Sequence, residues 1–175
     1  INGFGRIGRL TLRNLLQNND VEVVAINDLT DNQTLAHLFQ YDSAQGTFDG
    51  TVAATDDAII INGQSIVALS ERDPAALPWK DHQIDVVLEC TGIFRNKDQA
   101  SKHLEAGAKR VVISAPGKGD GIQTIVFGVN DDTLDANQTL FSNASCTTNC
   151  LAPVVKIIDE NWGFVQGTMT TTHAY

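Results

Sequence analysis

Cys146 sits in the run Ser145-Cys-Thr-Thr-Asn-Cys150, and the apolar residues that follow, Leu151, Val154, Val155 and Ile158, recur at the spacing of one helix face. That spacing places Cys146 at or near a helix N-terminus. Free N–H groups and the helix dipole there favour a thiolate, the nucleophilic form of a cysteine, and the same N–H groups can hold an oxyanion. Ser145 and Thr147 flank it with hydroxyls suited to a phosphate group. Pro153 inside the helix removes one backbone bond and predicts a kink. Cys150, one turn on, and Cys90, in a strand, read instead as small buried hydrophobes. Taken alone, Cys146 is open to either reading, buried or reactive. His173 follows a strand predicted over Met169–Thr172, and the intervening chain is long enough to bring it back beside the helix start. A histidine there would take the thiol's proton, the layout of a nucleophilic pair. The alternative, a hydrogen-bonded surface histidine, stays open.

A second constellation lies near the N-terminus. Gly3-Phe-Gly-Arg-Ile-Gly8 is a G-x-G-x-x-G turn opening a helix. In such a turn Gly3 permits the tight bend, Gly5 lets backbone approach a pyrophosphate, and Gly8 lets helix and strand pack closely. The pattern alone is weak. Asp28 strengthens it, lying about twenty residues beyond Gly8 at the end of the next strand, where an acid meets a ribose diol. An acid at that place favours NAD over NADP, whose 2′-phosphate it would repel.

The elements that must hold these residues follow from the alternation of apolar runs and helical patterns. Strands are predicted over 21–26, 85–90, 111–113 and 124–127, and helices over 6–18, 34–40 and 97–106, the last ended by Gly107 as a C-terminal cap. Asn62-Gly63, between Ala58–Ile61 and Gln64–Val67, is a strong hairpin signal. Strands alternating with helices imply an α/β fold with a mostly parallel, Rossmann-type sheet. A boundary falls near Asn143, which divides the chain into residues 1–143, a dinucleotide-binding domain, and 144–175, the beginning of a second domain.

Composition narrows the partners. Twelve Lys+Arg against 21 Asp+Glu give a net charge of −9, a surface that repels phosphate backbones and argues against nucleic acid. No run approaches the ~18 apolar residues of a membrane span. Three cysteines form an odd count, so a disulfide framework is not expected and a reactive thiol in a reducing compartment is. His37, His82 and His103 are scattered, and no second Cys/His pair sits at zinc spacing. The chain opens at Ile1 without room for the strand the glycine turn needs, and stops inside strand-forming residues, so a partial sequence is expected.

Asn2-Gly-Phe-Gly-Arg-Ile-Gly-Arg9, Glu89-Cys-Thr-Gly92, Ser114-Ala-Pro116, Ser142-Asn-Ala-Ser-Cys-Thr-Thr-Asn-Cys150 and Thr172-His-Ala-Tyr175 together closely resemble the phosphorylating glyceraldehyde-3-phosphate dehydrogenases. The resemblance runs the length of the chain, and the cysteine block is highly specific. It implies a homotetrameric, cytoplasmic enzyme of glycolysis, with a Rossmann-type domain followed by an α+β catalytic domain. By position, Arg6, Ile7, Asp28, Arg72 and Ser114 match the family's NAD contacts, and Thr91 and Gly92 lie along the cofactor. Cys146 matches the nucleophile and His173 its base, while Ser145 and Thr147 match residues that bind the phosphates of glyceraldehyde 3-phosphate and of inorganic phosphate. Family members continue well beyond Tyr175, so this stretch alone is expected to be inactive. Two alternatives stand beside this one. Erythrose-4-phosphate dehydrogenase carries the same cysteine block, although His173-Ala-Tyr175 looks more like the glyceraldehyde enzyme. A non-catalytic dinucleotide-binding fragment is the other.

Overall fold

The computed structural model describes residues 1–173. Ala174 and Tyr175, the end of the Thr172–Tyr175 motif, lie outside the described residues. The chain runs α1 (Arg6–Leu15), β1 (Ala25–Asn27), α2 (Asn32–Gln40), β2 (Tyr41–Asp42), β3 (Gly46–Thr47), β4 (Val52–Ala54), β5 (Ala58–Ile61), β6 (Gln64–Leu69), β7 (Val86–Glu89), α3 (Lys97–Glu105), β8 (Arg110–Ile113), β9 (Gln123–Thr124), β10 (Leu140–Ser142) and α4 (Cys146–Trp162). Asn2 bridges in parallel to Asn27 on one side and to Glu89 on the other. It thereby joins two four-stranded halves, β1-β6-β5-β4 and β7-β8-β10-β9. Reading outward from Asn2, β1 and β6 lie on one side and β7, β8 and β10 on the other, all parallel, with β5 and β4 added antiparallel at one edge. The strand order reverses at Asn2. Such a switch point leaves a crevice beyond the carboxyl ends of the strands.

Local sequence explains most of this. Asp31 caps α2 by accepting from Thr34 N, and Asn96 caps α3 by accepting from Gln99 N. Asn62 (φ 51°) and Gly63 (φ 82°) both adopt the left-handed conformation that a two-residue hairpin needs, setting β5 against β6 with Ile61 opposite Gln64. Leu12 of α1 and Leu35 and Phe39 of α2 pack on Phe4, Ile26, Ile59 and Ile66. Ala100 of α3 covers Val111 and Ile113 of β8 together with Leu140. Alternation along β7 and β8 buries Val87, Glu89, Val111 and Ile113 and leaves Leu88 and Val112 half-buried on the other face.

The expected mostly parallel α/β sheet is the fold observed. Several elements differ in extent. The strand expected over 21–26 is paired only at its end, and the one expected over 124–127 stops at Thr124. Beyond Thr124 the Asn130 side chain accepts from Val126 N and turns the chain, leaving Phe127 83% exposed. No strand forms over Met169–Thr172, because a strand exists through its partner's hydrogen bonds and no described residue pairs with that segment. Helix α4 runs through Pro153 for 17 residues, and Gly163 follows it with positive φ.

Candidate active site

The glycine turn follows Asn2 directly. Gly3 has φ +88°, and a Cβ there would lie 2.7 Å from Thr91 N; a Cβ on Gly8 would lie 2.2 Å from the Gly3 carbonyl oxygen. The two glycines thus let three backbone segments meet at the switch point. Gly5 caps α1 without a side chain to occupy the first N–H groups, and nothing stands within 4 Å of where its Cβ would be. An open helix N-terminus of this kind suits a pyrophosphate. Asp28 is half-buried beside it, one carboxylate oxygen accepting from Phe4 N at 2.7 Å and the other from Thr30 N at 3.0 Å. A carboxylate has about four acceptor sites, so lone pairs remain for a sugar hydroxyl. The donor set and the acid fit a dinucleotide.

The other proposed cofactor residues lie at the start of α1 and beyond the ends of β6, β7 and β8. Arg6 forms an ion pair with buried Asp42, whose other oxygen accepts from Ala44 N and Gln45 N. Ile7 is exposed on the first turn of α1, and Arg72 is exposed beyond β6. Thr91 follows β7 and donates through both its N–H and its hydroxyl to Glu89; Gly92, exposed with φ +73°, comes next. Ser114 follows β8 and donates its N–H to the Glu89 carbonyl.

Cys146 is the first residue of α4 and is exposed. Ser145 is the N-cap, its Oγ accepting from Thr148 N at 3.0 Å. Its hydroxyl is therefore already engaged as an acceptor. Two residues that sequence reasoning did not single out aim the helix. Ser142, buried at the end of β10, accepts from Gly117 N and Ala144 N and donates to the Ala115 carbonyl. Ala144 takes φ +56°, a left-handed corner rare for a residue with a Cβ. A cleft of about 290 Å³ results, lined by Ile7, Leu88, Val112, Ser114, Ser145 and Cys146 among others. It brings the proposed nucleophile beside two of the proposed cofactor residues.

Other expectations are not met in the same way. Thr147 and His173 do not line that cleft. His173 is exposed, and its Nε2 lies 3.1 Å from Thr171 Oγ1 in its own segment. Cys150, expected to be buried, is exposed, because α4 buries none of its residues against the described chain. Cys90 is half-buried just past β7, and burial pushes its thiol above its ordinary value against the opposing hydrogen bond of Ser114. Sequence reasoning also missed Glu89, His103 and Trp79, which are buried together beneath the cleft. The signals were present as a carboxylate in the apolar strand Val86–Glu89 and a histidine one turn from Ala100 on the covered face of α3. No group of three or more metal-ligating side chains occurs among the described residues, and no described helix is long and apolar enough to cross a membrane.

Strand order, glycine turn and acid together define a dinucleotide-binding protein of the Rossmann type. Residues 1–97 match the family model described as glyceraldehyde 3-phosphate dehydrogenase, NAD binding domain, and residues 145–175 match that family's C-terminal domain. The chain belongs to the glyceraldehyde 3-phosphate dehydrogenase family. It is 55% identical over 175 residues to the glyceraldehyde-3-phosphate dehydrogenase of Clostridium acetobutylicum, covering 100% of this chain and 52% of that protein. The Mycoplasma pneumoniae enzyme of the same name is 53% identical, and glyceraldehyde-3-phosphate dehydrogenase 2 of Bacillus subtilis is 52% identical, each over 100% of this chain and 52% of its own length. The chain spans about half the length of the curated relatives it matches.

Proposed function

We propose that the whole protein containing this chain oxidises glyceraldehyde 3-phosphate with NAD and inorganic phosphate to 1,3-bisphosphoglycerate, in glycolysis. One observation carries the reading: Cys146 opens α4 on the cleft that Ile7 and Ser114 also line. Residues 1–143 would bind NAD, and 144–175 would begin the catalytic domain. Gly3, Gly5 and Gly8 shape the turn, with Arg6, Ile7, Asp28, Arg72, Thr91, Gly92 and Ser114 around the cofactor. NAD, when bound, supplies the acceptor for a hydride.

The chain's own residues do the rest. The Cys146 sulfur, as thiolate, adds to the aldehyde carbon and forms a thiohemiacetal. His173 takes the proton of that hydroxyl while the carbon's hydrogen leaves with its electron pair, and a thioester to Cys146 remains. Backbone N–H groups at the start of α4 face the developing oxyanion. Inorganic phosphate, held by Ser145 and Thr147, attacks the thioester carbon; the acyl phosphate departs and Cys146 leaves as thiolate. For His173 to act, the segment that carries it must return to the start of α4, where its strand-forming residues Met169–Thr172 would find a partner strand. The proposed assembly is a homotetramer in the cytoplasm.

The test is NADH formation by the whole protein, with glyceraldehyde 3-phosphate and NAD⁺, with and without inorganic phosphate. Phosphate-dependent NADH supports the reading. NADH without phosphate dependence means that water takes the acyl group and favours erythrose-4-phosphate as substrate. NAD binding with no NADH leaves a binding module.

A further inference from the structure

Beneath the glycine turn lies a chain of buried side chains whose hydrogen bonds all have a fixed direction. Glu89 and His103 are 0% exposed, and Trp79, Asn2 and Asn27 are nearly so. The direction is set from both ends. Trp79 Nε1–H, a donor only, points at His103 Nδ1 at 3.0 Å, so that nitrogen carries no proton and Nε2 does. Nε2 then donates to Glu89 Oε2 at 2.9 Å. At the other end, Asn27 Oδ1 accepts from Glu71 N at 2.8 Å, while its Nδ2 donates to the Glu71 carbonyl at 2.9 Å and to Asn2 Oδ1 at 2.7 Å. Asn2 Nδ2 is thereby turned toward Glu89 Oε2, at 2.6 Å. Glu89 Oε1 accepts from Thr91 N and Thr91 Oγ1. Every lone pair of the carboxylate faces a donor.

Each member stands next to a cofactor candidate. Asn2 precedes Gly3, Asn27 precedes Asp28, Glu71 precedes Arg72, and Glu89 holds Thr91. Four loops of the crevice are thus pinned by one network, which ends on α3 and the Trp79 loop. We propose that Glu89, with His103 and Trp79 behind it, is a positioning residue for dinucleotide binding, fixing the four turns that meet NAD. This rests on the NAD reading above. Replacing Glu89 by Gln keeps the shape but substitutes an amide N–H₂ for one acceptor oxygen. Whichever way that amide turns, a donor meets a donor, at Thr91 N or at Asn2 and His103. Trp79→Phe leaves the cleft untouched and frees His103 to move its proton to Nδ1.

The experiment uses the whole protein and NAD itself as the probe. KM and Kd for NAD, kcat, and the NAD-free melting temperature are measured for wild type, Glu89→Gln and Trp79→Phe. Glu89→Gln is expected to raise the Kd for NAD about tenfold and Trp79→Phe about threefold, with the loss in KM for NAD rather than in kcat. Nitrogen NMR of His103 should find the proton on Nε2. Melting temperatures that fall while both variants keep wild-type affinity for NAD would reduce the network to core packing and overturn the proposal, as would a proton on Nδ1. If Glu89→Gln does not fold, Trp79→Phe decides by the same measurement. Wild type that binds no NAD defeats the function reading first; wild type that binds NAD, with variants that bind it equally, defeats this proposal alone.

Discussion

Helices α2 and α4 are built from similar material and treated differently by the fold. Asp31 caps one and Ser145 the other, and both carry an apolar stripe. In α2 the stripe is covered: Leu35, Ala36 and Phe39 are buried, and Phe39 stacks 6.1 Å from Phe4. In α4 nothing is buried, and Val154, Ile157 and Trp162 (77% exposed) face outward. The first turn of α4 is fastened by the Ser145 cap, by Asn149 Nδ2 donating to the Asn143 carbonyl at 2.7 Å, and by the Ala144 corner; farther along, Lys156 Nζ alone reaches out, donating to the Gly128 and Val129 carbonyls at 3.0 and 3.2 Å. A helix's chemically important end can thus be placed by a few directional bonds, while its body depends on surface found elsewhere. The dinucleotide side of the cleft is held by a packed core, and the thiol side by its entry corner.

The sharpest way to break that contrast is at the thiol. Cys146→Ser in the whole protein should lower turnover at least ~10³-fold while NAD binding stays near wild type. Dehydrogenase rate retained in that variant would detach α4 from the chemistry. Packing comes next. Urea unfolding of this 175-residue chain should show Phe39→Ala costing about 3–5 kcal/mol and Ile157→Ala within about 0.5 kcal/mol. In the whole protein the Ile157 cost should grow to about 2–5 kcal/mol once the stripe is covered. Equal costs in both settings would mean that α4 stays bare.

Thiol labelling gives a smaller effect. With iodoacetamide at neutral pH, Cys90 should react more slowly than Cys146, because it is half-buried while Cys146 is exposed and because burial pushes its thiol up, leaving less thiolate. The gap should narrow as pH rises, and peptide mass mapping of the labelled sites reads it. The smallest change is on the dinucleotide side. Asp28→Ala removes the acceptor of Phe4 N and, on the function proposed above, that of the ribose, so NAD should weaken about threefold to tenfold and discrimination against NADP relax. Unchanged cofactor preference by calorimetry would take the ribose role from Asp28.

How far the sequence speaks depends on range. The glycine turn, the Asn62-Gly63 hairpin and the cap at Gly107 are legible because each is a conformational demand met within a few residues, and the place of Asp28 beside the turn because it follows at a characteristic spacing. Gly107 takes φ +109° and admits Lys80 where a Cβ would be. The helix start at Cys146 is legible for the same reason, since cap and stripe are adjacent in sequence. What depends on distant partners is not. Asn2 meets Glu89 across 87 positions, and nothing near either residue announces the other. The brief β10 has only three residues, too few for a period to register. Cys150 and the Met169–Thr172 segment were assigned surroundings that no described residue provides.

Ala144 shows how a corner can act as a setting. A glycine would reach φ +56° without steric cost, and would also let the junction between β10 and α4 swing through a wide arc. Alanine holds that angle at about 1–2 kcal/mol of strain. In return it narrows the range of directions in which the following helix can leave the sheet. A methyl group two residues earlier thus helps, together with the Ser142 and Asn149 bonds, to aim the sulfur at its tip, and the bearing of the helix is set before any partner surface reaches it.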